Sequence, residues 1–243
     1  MNLIIDIGNT RTKVAVFHRG EVLITIPFDR FDVSYIEVLK REYDELNMAI
    51  LSSVTDYSNE LREALEAEFD VFIELSHQTP LPVENCYETR ETLGKDRIAA
   101  VVGAFDLYPN TNILVIDAGT AITYDLLTAE GKYLGGNIAP GLAMRFRALN
   151  HFTGKLPQIE PANANVLYGT STEQAIRAGV QNGLVYEVDA TISAFKTFYP
   201  DIKVIITGGD AEFFDKKLKN SFFVHFNLTS LGLNRILEHN GDH

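Results

Sequence analysis

The sequence predicts an α/β protein built from two related halves. Three observations carry that reading. One strand–turn–strand stretch occurs twice. Near-matching orders of strands and helices surround the two copies. The bulk composition, 46% hydrophobic and 22% charged over 243 residues, is that of a globular chain long enough for one large domain or two small ones.

The central copy is Ile116-Asp117-Ala118-Gly119-Thr120-Ala121-Ile122-Thr123-Tyr124-Asp125-Leu126-Leu127. Thr111 to Ile116 is an apolar, β-branched run, which predicts a buried strand. Ile122, Tyr124 and Leu126 then alternate with polar neighbours, which predicts a second strand. The earlier copy runs Leu-Ile-Ile-Asp-Ile-Gly-Asn-Thr-Arg-Thr-Lys-Val-Ala-Val-Phe from Leu3 to Phe17. Each copy places a carboxylate at a strand end, then a glycine and Thr or Asn. Exposed backbone amides in such a turn form a concave nest for phosphate oxygens, and the carboxylate can hold a cation or order its water. One copy alone is ordinary hairpin chemistry. Two copies, each on a buried strand and far apart, point to two lobes that clamp a nucleoside triphosphate.

In the first half, residues 2–6, 11–17 and 21–28 form three predicted strands, with Arg19-Gly20 as a hairpin turn. Ile36, Val38, Leu39 and Tyr43 are spaced as on a helix from Val33 to Leu46. A strand follows at 48–54, a helix at 59–69 and a strand at 71–75. Gln78 to Glu91 is irregular. Leu93-Gly94-Lys95-Asp96-Arg97 leads into an apolar helix over 98–107. A charged Asp-Arg pair ahead of Ala-Ala-Val-Val is unusual unless the helix start faces a site, although a helix dipole alone also favours Asp there.

The second half opens with the central hairpin and a third strand near 132–137. Gly135-Gly136-Asn137-Ile138-Ala139-Pro140-Gly141 has glycines at P-loop spacing, but Leu142 and Ala143 stand where Lys and Ser or Thr are required. It predicts a glycine-rich turn capping a helix over 142–150. After a loop from Phe152 to Tyr168, Thr170-Ser171-Thr172-Glu173 has the form of a capping box. The long helix behind it ends at Pro200. A buried strand at 202–207, Gly208-Gly209-Asp210, a helix to Lys219, a strand at 222–226 and a helix at 231–239 complete the half. The halves divide at 1–110 and 111–243.

Composition excludes several classes. The net charge of −12 opposes nucleic acid as a partner, because phosphate contacts need clustered Lys and Arg. No apolar run approaches the ~20 residues of a membrane span, and the N-terminus enters a strand without a signal-peptide pattern. A cytoplasmic protein is expected. The single Cys86 leaves no partner for an internal disulfide and is expected to be inert. The six His are scattered without metal-binding spacing.

Doubled lobes of this order, each a mixed sheet flanked by helices and opened by a phosphate hairpin, describe the ribonuclease-H-like, actin-like ATPase fold of actin, sugar kinases and Hsp70 chaperones. That fold carries the nucleotide cleft between its lobes. Within it, the chain resembles the type III pantothenate kinases over nearly its whole length. The resemblance rests on Asp6-Ile7-Gly8-Asn9-Thr10, Leu93-Gly94-Lys95-Asp96-Arg97, Asp117 to Thr123, Gly135 to Gly141, Gly169-Thr170-Ser171-Thr172 and Thr207-Gly208-Gly209-Asp210. Two positions depart from the family pattern. Glu88-Thr89-Arg90 follows Tyr87 where an Asn-Pro pair is usual, and Lys95 stands where Ala is common.

The resemblance implies ATP-dependent phosphorylation of pantothenate on its primary hydroxyl, the entry step to coenzyme A. It implies that Asp6, Ile7, Gly8, Asn9, Thr10, Arg11, Thr12, Lys13 and Thr120 hold the triphosphate, with Asp6 orienting Mg²⁺ through water. Asp96 fits the general base. Tyr87, Gly94, Lys95, Asp96, Arg97 and Thr172 fall at pantothenate, where the fork of Arg97 suits a carboxylate or amide. Asp117 falls at a monovalent cation, K⁺ or NH₄⁺. A homodimer is implied, with the helix after Thr172 in its interface. The rivals are another small-molecule kinase of the same fold and a non-enzymatic nucleotide-binding regulator. A retained Asp96 speaks against the regulator, which needs no base.

Overall fold

Leu3, Ile4 and Ile5 are wholly buried in β1 (Asn2–Ile7), the middle strand of a five-stranded sheet. A computed structural model describes residues 1–162 and 166–241; part of the loop between Phe152 and Tyr168, and His243, lie outside the described residues. The chain divides into two compact units, Met1–Asn110 with Thr128–Leu134 and Asn227–His243, and Thr111–Leu127 with Gly135–Phe226.

In the first unit, β1 pairs antiparallel with β2 (Thr12–His18), which pairs with β3 (Glu21–Phe28). On its other side β1 runs parallel to β4 (Met48–Ser53), and β4 to β5 (Val71–Glu74). The register sets Asp6 beside Lys13 on β2 and Ser52 on β4. Helix α1 (Ser34–Glu42) buries Ile36 and Leu39 against this sheet, and α2 (Asn59–Glu68) buries Leu61 and Leu65. Each such leucine stabilises the unit by roughly 2–3 kcal/mol. Helix α2 starts where Ser58 accepts a hydrogen bond from the Leu61 amide.

Helix α3 (Lys95–Leu107) is buried continuously from Arg97 to Ala104, which its apolar sequence requires. It crosses α6 (Leu228–Gly241) at Gly103 and Gly232. A Cβ on Gly103 would lie 2.3 Å from the Leu228 carbonyl oxygen, so only glycine permits this approach. That crossing ties the C-terminal helix to the first unit. A short strand, β6 (Glu84–Asn85), pairs parallel with Lys132 and Tyr133 at the start of β9 (Lys132–Pro140).

In the second unit, β7 (Ile113–Ala118) and β8 (Ala121–Leu127) form the central hairpin. Strand β10 (Lys203–Thr207) runs parallel to β7, and β11 (Phe223–Val224) to β10. Helices α4 (Leu142–His151) and α5 (Thr172–Phe198) share a core with these strands that includes Leu114, Ile116, Tyr124, Phe146, Leu184, Val188 and Ile192.

Several elements differ from the sequence expectation. The expected glycine-rich turn at 135–140 is strand, the second part of β9; Gly141 alone caps α4. Helix α3 begins at Lys95, so Asp96 and Arg97 lie in its first turn. Helix α1 ends at Glu42, short of Leu46. The helix expected up to Lys219 is a single 3₁₀ turn, Ala211–Phe214. There Lys216 takes φ 58°, and the Asp189 carboxylate accepts from the amides of Lys219 and Asn220 at 3.0 Å each. Those tertiary bonds replace helical ones. Among the described residues, no helix is long and apolar enough to cross a membrane.

Candidate active site

In the first unit the site is built on the end of β1. Strand pairing stops at Ile7 and Thr12, and the Gly8 amide donates to the Arg11 carbonyl at 3.1 Å. Asn9, Thr10 and Arg11 stand exposed on the turn. The turn lines a cavity of about 750 Å³ together with residues 29–34 and 55–58. Those two outer loops were not singled out in the sequence. Their only local signal is the Asp56-Tyr57-Ser58 run between β4 and the cap of α2.

Asp6 is partly buried behind this turn. Burial, and after it the charge of Asp96, push its carboxyl up to about 6; Lys13 and Ser52 act in the opposite direction. The Ser52 hydroxyl is itself buried and makes no hydrogen bond of good geometry. Asp6 and Asp96, 90 residues apart in sequence, are thus electrostatic neighbours. Like charges that sense one another in a low-dielectric site mark functional clusters.

Asp96 sits in the first turn of α3, where the helix dipole favours a carboxylate. Its Oδ1 accepts from the Arg97 amide at 2.8 Å. The Arg97 side chain folds inward and is only 5% exposed. Its guanidinium lies 5.5 Å from the centre of the Tyr87 ring, and Tyr87 stacks on Tyr133 with ring centres 6.1 Å apart. The β6–β9 pairing holds this stack, and Asn85 Oδ1 accepts from the Tyr87 amide. Beyond Tyr87, residues 90–92 form a 3₁₀ turn fastened by the Thr92 hydroxyl, which donates to the Thr89 carbonyl. Lys95 points elsewhere. It lines a polar cavity of about 470 Å³ with Asp56, Arg62 and Glu74, and a smaller one with His77 and Arg90. The first unit therefore brings together Asp6, Lys13, Tyr87, Gly94, Asp96 and Arg97, with Lys95 at their edge.

The second unit carries Asp117, Thr120 and Thr172. Its hairpin is tighter than its counterpart: only Gly119 and Thr120 link Ala118 to Ala121, and the Gly119 amide donates to the Ala121 carbonyl at 3.0 Å. The duplicated motif thus serves turns of two lengths. Gly208, at φ +92°, presses on this strand end; a Cβ there would lie 2.4 Å from Asp117 Oδ1. The Asp210 amide donates to the Ala118 carbonyl at 2.9 Å, and burial pushes the Asp210 carboxyl up. Opposite Asp117 on β8, the Thr123 hydroxyl is buried without a hydrogen bond. Gly208 and Asp210 belong to the Thr207–Asp210 motif, whose sequence alone assigns them no role.

Thr172 is the first residue of α5, exposed, and not its cap. The cap is Ser171, which accepts from the Gln174 amide, while Gln174 Oε1 accepts from the amide and hydroxyl of Thr170. The capping box is shifted by one residue from its expected frame, which leaves the Thr172 side chain available. Among the described residues, no group of three or more His, Cys, Asp or Glu could hold a metal ion. Cys86 is a free thiol.

A model of the type III pantothenate kinase family matches residues 2–194. The chain belongs to the type III pantothenate kinase family. A type III pantothenate kinase from Phocaeicola vulgatus is 48% identical over 240 residues, 99% of each chain. Among solved structures, a Campylobacter jejuni protein assigned to a Baf family of transcriptional activators matches at a TM-score of 0.62 with 22% identity, covering 99% of this chain and 100% of its own. A Streptomyces griseus glucokinase matches at 0.56 with 12% identity, covering 98% and 99%. At those identities the two structures show the fold alone, the two-lobed ATPase fold of sugar kinases.

Proposed function

We propose that the chain transfers the γ-phosphoryl group of ATP to the primary hydroxyl of pantothenate, with Asp96 as general base. The observation that carries this reading is the juxtaposition of Asp96 with Asp6 on one side and the Arg97–Tyr87 pair on the other. Phosphoryl transfer asks for an in-line hydroxyl, a proton acceptor and charge to neutralise the phosphates. Asp96 takes the hydroxyl proton. Tyr87 and Gly94 to Arg97 form the wall against which pantothenate lies. The near-complete burial of Arg97 suits one donor directed at an amide or carboxylate better than an open anion sink. Thr172, exposed in the first turn of α5, is a further candidate for contact with pantothenate.

The turn from Asp6 to Lys13, with its exposed middle, fits a triphosphate, and Thr120 on the matching hairpin of the second unit is likewise assigned to phosphate. Bound Mg²⁺ supplies charge neutralisation of the phosphates, and Asp6 fits the water shell of that ion. Asp117 and the unpartnered Thr123 hydroxyl are an oxygen donor set for a K⁺-sized or ammonium ion. The enzyme works as a cytoplasmic homodimer with α5 in the interface. Its partner is a small molecule, with no nucleic acid or membrane involved, and the charge of −12 agrees with that.

A coupled ADP-release assay with Mg²⁺, K⁺ and ATP tests the proposal against a panel of acceptors. ADP should appear with pantothenate and stay at background with hexoses and N-acetylhexosamines. Release with a sugar and none with pantothenate would make this a kinase of another substrate.

A further inference from the structure

We infer that Arg145, on α4, is a positioning residue for the Gly119–Thr120 turn. Its Nε donates to the Pro140 carbonyl at 2.8 Å, and Nη2 donates to both oxygens of Glu187 on α5 at 2.8 Å each. Glu187 also accepts from the Tyr124 hydroxyl on β8 at 3.3 Å. One guanidinium therefore fastens the end of β9 to α5, through charge-assisted bonds in a half-buried setting.

What Arg145 fastens is the backing of the turn. Gly141 follows Pro140 directly, and its amide donates to the Thr120 carbonyl at 3.1 Å. The contact is so close that a Cβ on Gly141 would lie 2.1 Å from the Gly119 carbonyl oxygen and 2.5 Å from that of Thr120. Gly141 thus abuts the turn, and its amide holds the Thr120 carbonyl. Displacement of Pro140 shifts Gly141 and, with it, Thr120. Sub-ångström placement of such donors is what electrostatic catalysis depends on. Arg145 reaches no reacting atom in this scheme. It acts through Pro140 and Gly141, and the inference rests on the assignment of Thr120 to the triphosphate.

Arg145→Lys is the discriminating variant. A lysine keeps the cation facing Glu187 but lacks the fork that also holds Pro140. Glu187→Gln is its counterpart, since it weakens the ion pair and keeps the bond to Pro140. For Arg145→Lys the expected result is a rise of about tenfold in KM for ATP. KM for pantothenate should change by less than about twofold, with a melting temperature near that of the parent. Glu187→Gln, which weakens the anchor on α5 but keeps the bond to Pro140, should raise KM for ATP by less than Arg145→Lys does. An unchanged KM for ATP in Arg145→Lys, or equal rises for both substrates, overturns the inference. Calorimetric binding of Mg²⁺–ATP without acceptor separates this from the substrate assignment. If the parent binds ATP but does not phosphorylate pantothenate, the substrate reading fails while the Arg145→Lys comparison stands. A parent that binds no ATP overturns both.

Discussion

Asp6 at the end of β1 and Asp96 in the first turn of α3 are coupled, and the charge of Asp96 helps to push the Asp6 carboxyl up to about 6. A carboxylate whose ionisation is made costlier by burial and by a neighbouring carboxylate suits a site that receives cationic charge. Mg²⁺ held there, as proposed, would offset that cost.

The coupling predicts a pH effect. Asp6 in the folded, ligand-free protein holds its proton up to about pH 6. Binding of Mg²⁺–ATP below that pH must therefore release a proton. Asp96→Asn removes one like charge and should lower the Asp6 titration, extending ATP binding to lower pH. Carbon-13 NMR of the Asp6 carboxyl reads this directly; an unmoved midpoint in Asp96→Asn would show that the two do not interact.

Asp6 also costs stability. Because its folded pKa lies above the ordinary 3.8, the folded state holds more protons between those values. Stability should fall as pH rises from about 4 to 6, then level off. At roughly 1.4 kcal/mol per pKa unit, a shift of about two units costs about 3 kcal/mol at neutral pH. Asp6→Asn should raise the melting temperature of the ligand-free protein by several degrees at pH 7.5 and by little at pH 4. Its affinity for Mg²⁺–ATP should collapse. A lower melting temperature at pH 7.5 would contradict the stability cost assigned to ionised Asp6.

Arg97 and Tyr87 should report on pantothenate alone. Arg97→Lys keeps the charge and loses both the planar face over Tyr87 and the fork. KM for pantothenate should rise by roughly 10-fold or more, as for loss of a charge-assisted hydrogen bond, while KM for ATP holds. Steady-state kinetics with each substrate varied checks this, and matched losses would place Arg97 in the nucleotide site.

Much of the fold was legible because it is written in period and punctuation. The buried strands at 2–7 and 113–118 are β-branched runs, and Pro200 marks the end of α5. The misses have physical causes. The helix expected up to Lys219 gives way to a 3₁₀ turn because the Asp189 carboxylate, 30 residues from Lys219, accepts from the Lys219 and Asn220 amides. Strand β6 is two residues long and exists only because Lys132 and Tyr133 lie alongside it. The site divides in the same way. Asp6, Asp96, Arg97 and Asp117 stood out by their positions at strand and helix ends. Ser52 lay in no motif, and Thr123 and Asp210 lay in motifs without a role, because their significance lies in which strand lies next to which. Likewise, no pattern revealed that the Arg97 side chain turns inward under Tyr87.

Thr123 sharpens the cation assignment. With Mg²⁺ saturating, the rate should depend on K⁺ or NH₄⁺ and be poor in Na⁺ alone. Thr123→Val removes the buried hydroxyl opposite Asp117 with little change of shape. It should raise the K⁺ concentration needed for half-maximal rate, and Asp117→Ala should flatten the dependence at a low rate. Equal rates in K⁺ and Na⁺ for the parent enzyme would return Asp117 and Thr123 to purely structural parts in the hairpin.

Single-turnover phosphoryl transfer by Asp96→Asn tests the central assignment most directly. Asparagine keeps the shape of the side chain and its bond to the Arg97 amide but cannot take a proton. With Mg²⁺–ATP and pantothenate both saturating, the transfer rate should fall by roughly 10²–10⁴-fold, while ATP affinity at pH 7.5 is retained or improved. A transfer rate near that of the parent enzyme would contradict the assignment of Asp96 as the base.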